Sequence, residues 1–379
     1  MAHIALVSTS YPDGKPGTEA AGSFVADFAE ELSRRVRVTV VAAGTDDEVS
    51  QEGNLCIRRF AVPRLPLSLL KLANPAHWGA LITTMKAGLS AVECLAAEDK
   101  PDHLLALWVL PSGYWAQRAA KRYGFDYSVW ALGSDVWTLA RIPVVKNVLK
   151  NVAINAARRF ADGVELGNEV TSVSGADCRF LPSTRRLPAV QGKRLATEPP
   201  YKLAFLGRWH PNKGTDLLLD ALLQLDEDSW HRISEVRIFG GGPQEALVRR
   251  AVATLKTQGR PIVVGGYLDK QDAADLIGWA DYLLLPSRIE SIPVIFSDAM
   301  QVGTPLIATP VGDLPQLHQK YNFGVVAQDI SSSVFAEAIA TGLAGSPDSH
   351  SEGIVLARSD FDLPGIIDRF LRETGLDVG

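Results

Sequence analysis

The chain has little sulfur, no long apolar run and no clustered metal ligands. Its three cysteines, Cys56, Cys94 and Cys178, are odd in number and far apart. That excludes a disulfide framework and offers no zinc-type spacing. No stretch reaches the ~18 consecutive apolar residues of a membrane span. The residues after Met1 read as a strand, with neither a basic leader nor a long apolar core, so no secretory signal is expected and a reducing cytoplasm is. Solenoid repeats and low-complexity tracts are absent. The first strand is followed by Ser8-Thr9-Ser10-Tyr11-Pro12 rather than G-x-G-x-x-G, which argues against a nicotinamide dehydrogenase. A net charge of -5 argues against a general nucleic-acid binder.

What is present is an ordinary globular composition, 46% hydrophobic and 21% charged, over 379 residues. That length accommodates two or three domains. Short apolar runs alternate with helical patterns. Strands are expected at 3–8, 36–42, 55–61, 103–109, 127–131 and 163–166, with helices over 20–35 and 75–97 and between the later strands. Residues 191–200, rich in Lys, Arg, Thr and Pro, read as a linker between a first domain (1–190) and a second (201–360). The rhythm then restarts, with strands at 202–206, 235–239, 262–264, 281–285 and 306–308. Helices are expected after Lys213, Pro243, Lys270, Ser291 and Ser331, and a final helix near 364–372. Strands separated by helices indicate an α/β protein with two doubly wound, parallel sheets, whose ligands sit at the carboxyl ends of the strands.

The most informative stretch is 286–309, Pro-Ser-Arg-Ile-Glu-Ser-Ile-Pro-Val-Ile-Phe-Ser-Asp-Ala-Met-Gln-Val-Gly-Thr-Pro-Leu-Ile-Ala-Thr. An apolar strand leads into a loop carrying Glu290. A helix is expected from near Ser291, with Pro293 in its first turn, and Asp298 about two turns in on the same side as Ser291. Free N–H groups at such a start attract phosphate. Two acids beside an anion site suit a sugar joined to a diphosphate. The plain alternative is a capped surface helix with ordinary acids. The segment resembles the E-x7-E signature of retaining GT-B glycosyltransferases of the group 1 (family 4) type, here E-x7-D. The resemblance implies two Rossmann-like domains facing a cleft, a last helix (361–379) crossing back onto the first domain, and transfer of a sugar with retained anomeric configuration. Glu290 would then bind sugar hydroxyls and Asp298 the ribose, with Ser291, Ile292 and Pro293 beside the donor.

Other segments fit the same resemblance. In 203–221, Gly207-Arg208 and Lys213-Gly214 flank a loop that enters a helix. Arg208 and Lys213 would neutralise the leaving diphosphate, or else are solvated loop cations. Gly240 and Gly241, in Ile238-Phe239-Gly240-Gly241-Gly242-Pro243, match a turn near the nucleotide, although any tight turn uses glycine. Residues 310–316 stand where relatives carry Gly-Gly-x-Pro-Glu; Asp313 and Gln316 depart from it and receive no role. Gly22 is what remains of a glycine-rich donor loop. In Trp130-Ala131-Leu132-Gly133-Ser134-Asp135-Val136, Leu132 replaces a histidine of the family, and Asp135 is either near the reacting centre or a helix cap. Asp226-Glu227-Asp228 mimics a metal-binding D-x-D but follows an amphipathic helix, so it reads as a solvated charge run and no catalytic metal or cofactor is expected. Basic residues among apolar ones at 58–88 and 141–159 are either the outer faces of core helices or a surface for an anionic membrane.

The implied function is metal-independent transfer of a hexose-like unit from a nucleoside diphosphate sugar to a sugar or lipid-linked acceptor, in the cytoplasm or at the inner membrane face, as in cell-surface polysaccharide or glycolipid synthesis. A non-catalytic nucleotide-sugar-binding subunit and a nucleotide-sugar epimerase of the same architecture are the competing readings. The first would bind nucleotide without consuming donor, and the second would convert donor without acceptor.

Overall fold

The computed structural model describes residues 1–12, 22–67 and 70–376. The chain divides into two compact units, Met1–Arg185 with Leu363–Gly379, and Arg186–Asp362.

The first unit opens with β1 (His3–Ser8), α1 (Ser23–Ser33) and β2 (Arg37–Gly44), then an exposed hairpin, β3 (Glu48–Glu52) and β4 (Leu55–Ala61). It continues with α2 (Trp78–Glu98), β5 (His103–Leu107), α3 (Ser112–Tyr123), β6 (Asp126–Ala131), α4 (Ser134–Trp137), α5 (Pro143–Asn155), β7 (Arg158–Ala161), α6 (Val164–Ser174) and β8 (Arg179–Phe180). The sheet order is β3-β4-β2-β1-β5-β6-β7-β8, with β3 antiparallel to β4. Strand β1 is buried at all six positions, as a central parallel strand covered on both faces must be.

The second unit holds β9 (Tyr201–Arg208), α7 (Thr215–Gln224), α8 (Glu227–His231), β10 (Ile233–Gly241), α9 (Glu245–Thr257), β11 (Ile262–Gly265), α10 (Lys270–Trp279), β12 (Tyr282–Leu285), α11 (Val294–Val302), β13 (Leu306–Ala308), α12 (Leu314–Tyr321), β14 (Gly324–Val326), α13 (Ser332–Ala344) and α14 (Ser351–Asp360). Its sheet is wholly parallel, in the order β11-β10-β9-β12-β13-β14. The last helix, α15 (Leu363–Thr374), belongs to the first unit. Phe370 meets Phe28 of α1 at 5.6 Å and Phe160 of β7 at 5.7 Å, edge to face, and Arg35 pairs with Asp368 at 2.9 Å.

Four sequence expectations change. Residues 163–166 are not a strand. The strand is Arg158–Ala161, and Gly163 is the extended cap of α6. The two arginines of that strand masked its apolar half. The helix after Glu290 starts at Val294, with Pro293 as its cap residue, because an N–H-less, φ-fixed proline ends the extended loop. Asp298 is therefore one turn beyond the first helical residue, and Ser291 lies outside the helix. The linker expected at 191–200 is not free, nor are the residues just before it. Leu187 N–H reaches Gln301 at 3.3 Å, Ala196 N–H reaches Asp281 at 3.0 Å and Lys193 holds the Ala280 carbonyl, so this stretch packs with the second unit and the boundary falls at residue 185. Finally, the stretch 75–98 is long and apolar enough to cross a membrane, although Thr83, Thr84 and Lys86 interrupt it. Its inner face, with Thr84, Gly88, Val92 and Leu95, covers β2, β4 and α3.

Candidate functional site

Neighbouring strands β9 and β12 end side by side, in register at Leu203–Tyr282 and Ala204–Leu283. Each runs into a loop and then a helix, so their loops converge. The first loop carries Arg208 and Lys213, and the second carries Glu290 and Ser291. Lys213 Nζ donates to Glu290 Oε1, and Ser287 Oγ lies 3.4 Å from the same oxygen. The Lys213 side chain is 38% exposed and that of Glu290 is 15% exposed, so both reach the surface while holding each other. Arg208 is exposed and makes no hydrogen bond or ion pair among the described residues.

The two loops are locked in three further ways. Gly214 has φ 67°, and a Cβ there would lie 1.7 Å from the Pro286 carbonyl oxygen, so only glycine permits the approach. Arg288 N–H donates to Asn212 O at 2.8 Å. The Arg288 guanidinium forks onto Asp216, Nη1 to Oδ1 and Nη2 to Oδ2 at 2.8 Å each, and Nη1 also reaches Pro211 O at 2.8 Å. Burial works against ionisation of Asp216, yet the Arg288 fork and a bond from Gln244 outweigh it and hold the carboxyl below its usual range.

At the start of α11 no side chain caps the helix; Phe296 N–H donates to Pro293 O at 2.8 Å, which leaves the N–H groups of Val294 and Ile295 for water or a ligand. Ser291, Ile292 and Pro293 are buried beside it. Asp298 is 1% exposed, on the core side of α11 between Ser297 and Ala299. The two acids of the E-x7-D spacing thus occupy different environments, a partly exposed loop and a buried helix position.

Gly240 and Gly241 end β10, paired in parallel with Gly207 and Arg208 at the end of β9. Gly240 has φ 146°, and a Cβ would lie 1.9 Å from Gly207 O; Tyr267 lies over Gly241 and donates to its carbonyl at 2.8 Å. Packing between neighbouring turns, as well as any ligand, therefore requires these glycines.

The remaining sequence candidates belong to the first unit. Gly22 is the residue before α1, at φ 81°; the rest of the glycine loop, 13–21, lies outside the described residues. Asp135 is 2% exposed in the first turn of α4, and Gly133, not Asp135, is the cap residue. Its Oδ2 accepts from Val109 N–H at 2.6 Å and its Oδ1 from Leu132 N–H at 3.4 Å. Burial pushes this carboxyl up to about 6 against those bonds. It straps the turn after β5 to the turn after β6. Trp108, in that turn, has φ 66°, an unusual value for a bulky residue.

The acidic run after α7 is structural. Asp226 caps α8 through Ser229 N–H at 2.8 Å, and Glu227 pairs with Arg260. Among the described residues no three His, Cys, Asp or Glu side chains gather as metal ligands.

Residues 200–344 match the family model "Glycosyl transferases group 1". The second unit is a group 1 glycosyltransferase domain. The chain is 28% identical over 251 residues to the putative teichuronic acid biosynthesis glycosyltransferase TuaC of Bacillus subtilis, covering 63% of this chain and 60% of TuaC. It is 27% identical over 387 residues to the D-inositol 3-phosphate glycosyltransferase of Streptomyces bingchenggensis, covering 89% and 80%. Sucrose-phosphate synthase of Thermosynechococcus elongatus superposes with a TM-score of 0.74 at 19% identity, over 99% of this chain and 98% of that one. Anabaena HepE, solved with UDP and glucose, superposes at 0.70 and 14% identity over 98% and 99%. The fold is GT-B.

The converging loops lie inside the transferase domain, and so do Tyr267, Asp216 and Arg288. Sequence reading had passed over these three. Arg288 and Asp216 both stood in the motif runs, but their pairing depends on β9 lying next to β12, which no spacing within either run reveals.

Proposed function

We propose that the chain is a retaining glycosyltransferase that moves a sugar from a nucleoside diphosphate sugar to an acceptor hydroxyl. The observation that carries this reading is the convergence of Arg208, Lys213 and Glu290 with the uncapped start of α11 in one transferase domain. Arg208 and Lys213 neutralise the diphosphate as the bond from the anomeric carbon to the β-phosphate oxygen breaks. The acceptor oxygen bonds that carbon from the same face, and its proton passes to the departing phosphate oxygen. Glu290 holds sugar hydroxyls, Asp298 sets the ribose side from within α11, and Gly240 and Gly241 let the nucleotide come close to the backbone. HepE was solved with UDP and with UDP-glucose, which makes UDP-hexoses the first donors to try.

No metal takes part in this scheme, because the two cations do the neutralising. Activity should survive EDTA; full loss, restored by manganese, would contradict it. The deciding experiment is donor consumption with and without sugar or lipid-linked acceptors. Acceptor-dependent release of nucleoside diphosphate supports transfer. Nucleotide binding without turnover would make the chain a binding subunit, and conversion of donor without acceptor would make it an epimerase.

For the acceptor side we propose contact with an anionic lipid surface. Residues 53–92 and 136–161 each carry five Lys or Arg and no acid, in a chain of net charge -5. Helices α2 and α5 both pack on α3 and begin at the carboxyl rim of the first sheet. There Trp78 is 54% exposed, Ile82 55% and Val144 74%, alongside the exposed Lys86, Lys146 and Lys150. Exposed apolar and cationic side chains along these two helices fit an interfacial site. Co-sedimentation with vesicles holding anionic lipid, lost in Lys146→Glu/Lys150→Glu and in Trp78→Ser, tests it; equal recovery with neutral vesicles would refute it.

A further inference from the structure

The loop that holds Lys213 also holds an acid that could disable it. Asp216 follows Lys213 by three residues, at the start of α7. A carboxylate released at that position could compete for the amine and repel the phosphates. In the structure both oxygens of Asp216 accept from the Arg288 fork at 2.8 Å. Lys213 turns instead to Glu290.

Resting on the reading of Lys213 as a diphosphate group, we propose that Arg288 is a positioning residue that occupies Asp216 and thereby keeps Lys213 available to the donor. Three observations favour this role over that of a plain clamp between loops. The backbone already joins the loops, through Arg288 N–H to Asn212 O and through the close approach of Gly214 to Pro286. The fork is bidentate, so each oxygen of Asp216 already has a charged donor; a lysine could not cover both. Asp216 is held below the usual carboxylate range, so it is ionised and would be an active competitor if released. The pairing also fixes a sequence of events. An arriving diphosphate draws Lys213 from Glu290, which frees Glu290 for the sugar hydroxyls, while Asp216 stays occupied throughout.

The test is a titration of UDP by calorimetry, with melting temperatures alongside, on wild type, Arg288→Ala, Arg288→Lys, Asp216→Asn and the double variant Arg288→Ala/Asp216→Asn. Arg288→Ala should bind UDP about tenfold more weakly, Arg288→Lys should fall between, and Asp216→Asn should bind nearly as wild type. The double variant should recover to within about threefold of wild type, because the competing acid is gone. Should Arg288→Ala not fold, Arg288→Gln, which keeps the stem and one donor pair, takes its place. Wild-type affinity in Arg288→Ala would overturn the proposal. So would a double variant as weak as Arg288→Ala, since a mere clamp cannot be rescued by removing its second half. A wild type that binds neither UDP nor GDP nor ADP would instead sink the diphosphate reading on which the proposal rests.

Discussion

Asp135 follows β6 in the first unit and Glu290 follows β12 in the second, each a few residues past the carboxyl end of a parallel strand. Their surroundings differ in kind. Asp135 is 2% exposed and spends its oxygens on the backbone N–H groups of Val109 and Leu132. The Glu290 side chain is 15% exposed and meets the ammonium of Lys213. A buried carboxylate bonded to fixed amides is committed to holding two turns. A partly exposed one bonded to a flexible lysine can exchange that partner for a ligand. The same residue class a few residues past a parallel strand is thus held by fixed backbone groups in one unit and by an exchangeable side chain in the other.

The largest effect should come from Glu290. Glu290→Gln should lower transfer turnover by about 100-fold, since a group at the reacting sugar tolerates little displacement. UDP affinity in calorimetry should hold or rise, because Lys213 loses its competitor. A loss of UDP affinity at unchanged turnover would place Glu290 at the nucleotide instead and break the comparison. Next come the cations. Arg208→Ala or Lys213→Ala should each reduce turnover by at least about tenfold, or ~1.4 kcal/mol, by removing a charge-assisted contact to the leaving group. Full activity in both would move the site away from these loops.

On the architectural side, Asp135→Ala leaves the Val109 N–H buried without a partner, at a cost of ~1–3 kcal/mol. The first unit should melt several degrees lower, while UDP affinity stays that of wild type. A variant that melts normally but cannot transfer would instead give Asp135 a role at the reacting centre. The smallest effect is the pH dependence. With its folded value raised to about 6, Asp135 binds its proton more tightly folded than unfolded. Its contribution to stability is therefore fully present below its unfolded pKa, near 4, and is lost as pH rises through about 6. Asp135→Asn should flatten that part of the melting profile between pH 4 and about 7; an unchanged slope would assign it to other groups.

Much of this was legible in the chain. Strands β1, β4 and β13 lie where their apolar runs put them, and Lys213, Glu290 and the start of a helix soon after them were marked by spacing and residue type. The errors have local causes. The cap at Gly163 and the strand at Arg158–Ala161 were exchanged because a four-residue strand beginning with two arginines carries almost no periodic signal. The helix start moved from Ser291 to Val294 because Pro293 fits either a first turn or a cap.

The sequence by itself determined which segments alternate between strand and helix and which charged types stand at strand ends, because periodicity and turn chemistry are properties of neighbouring residues. Only the tertiary structure decided the partners. Arg288 meets Asp216 and Lys213 meets Glu290 because β9 lies against β12, although more than 70 residues separate each pair. Asp298 is buried and Glu290 partly exposed because α11 begins between them, leaving the first acid on a loop and burying the second within the helix. Pairing across a sheet and burial beneath a helix are set by the packing of distant segments, which the order of residues in any one segment does not contain.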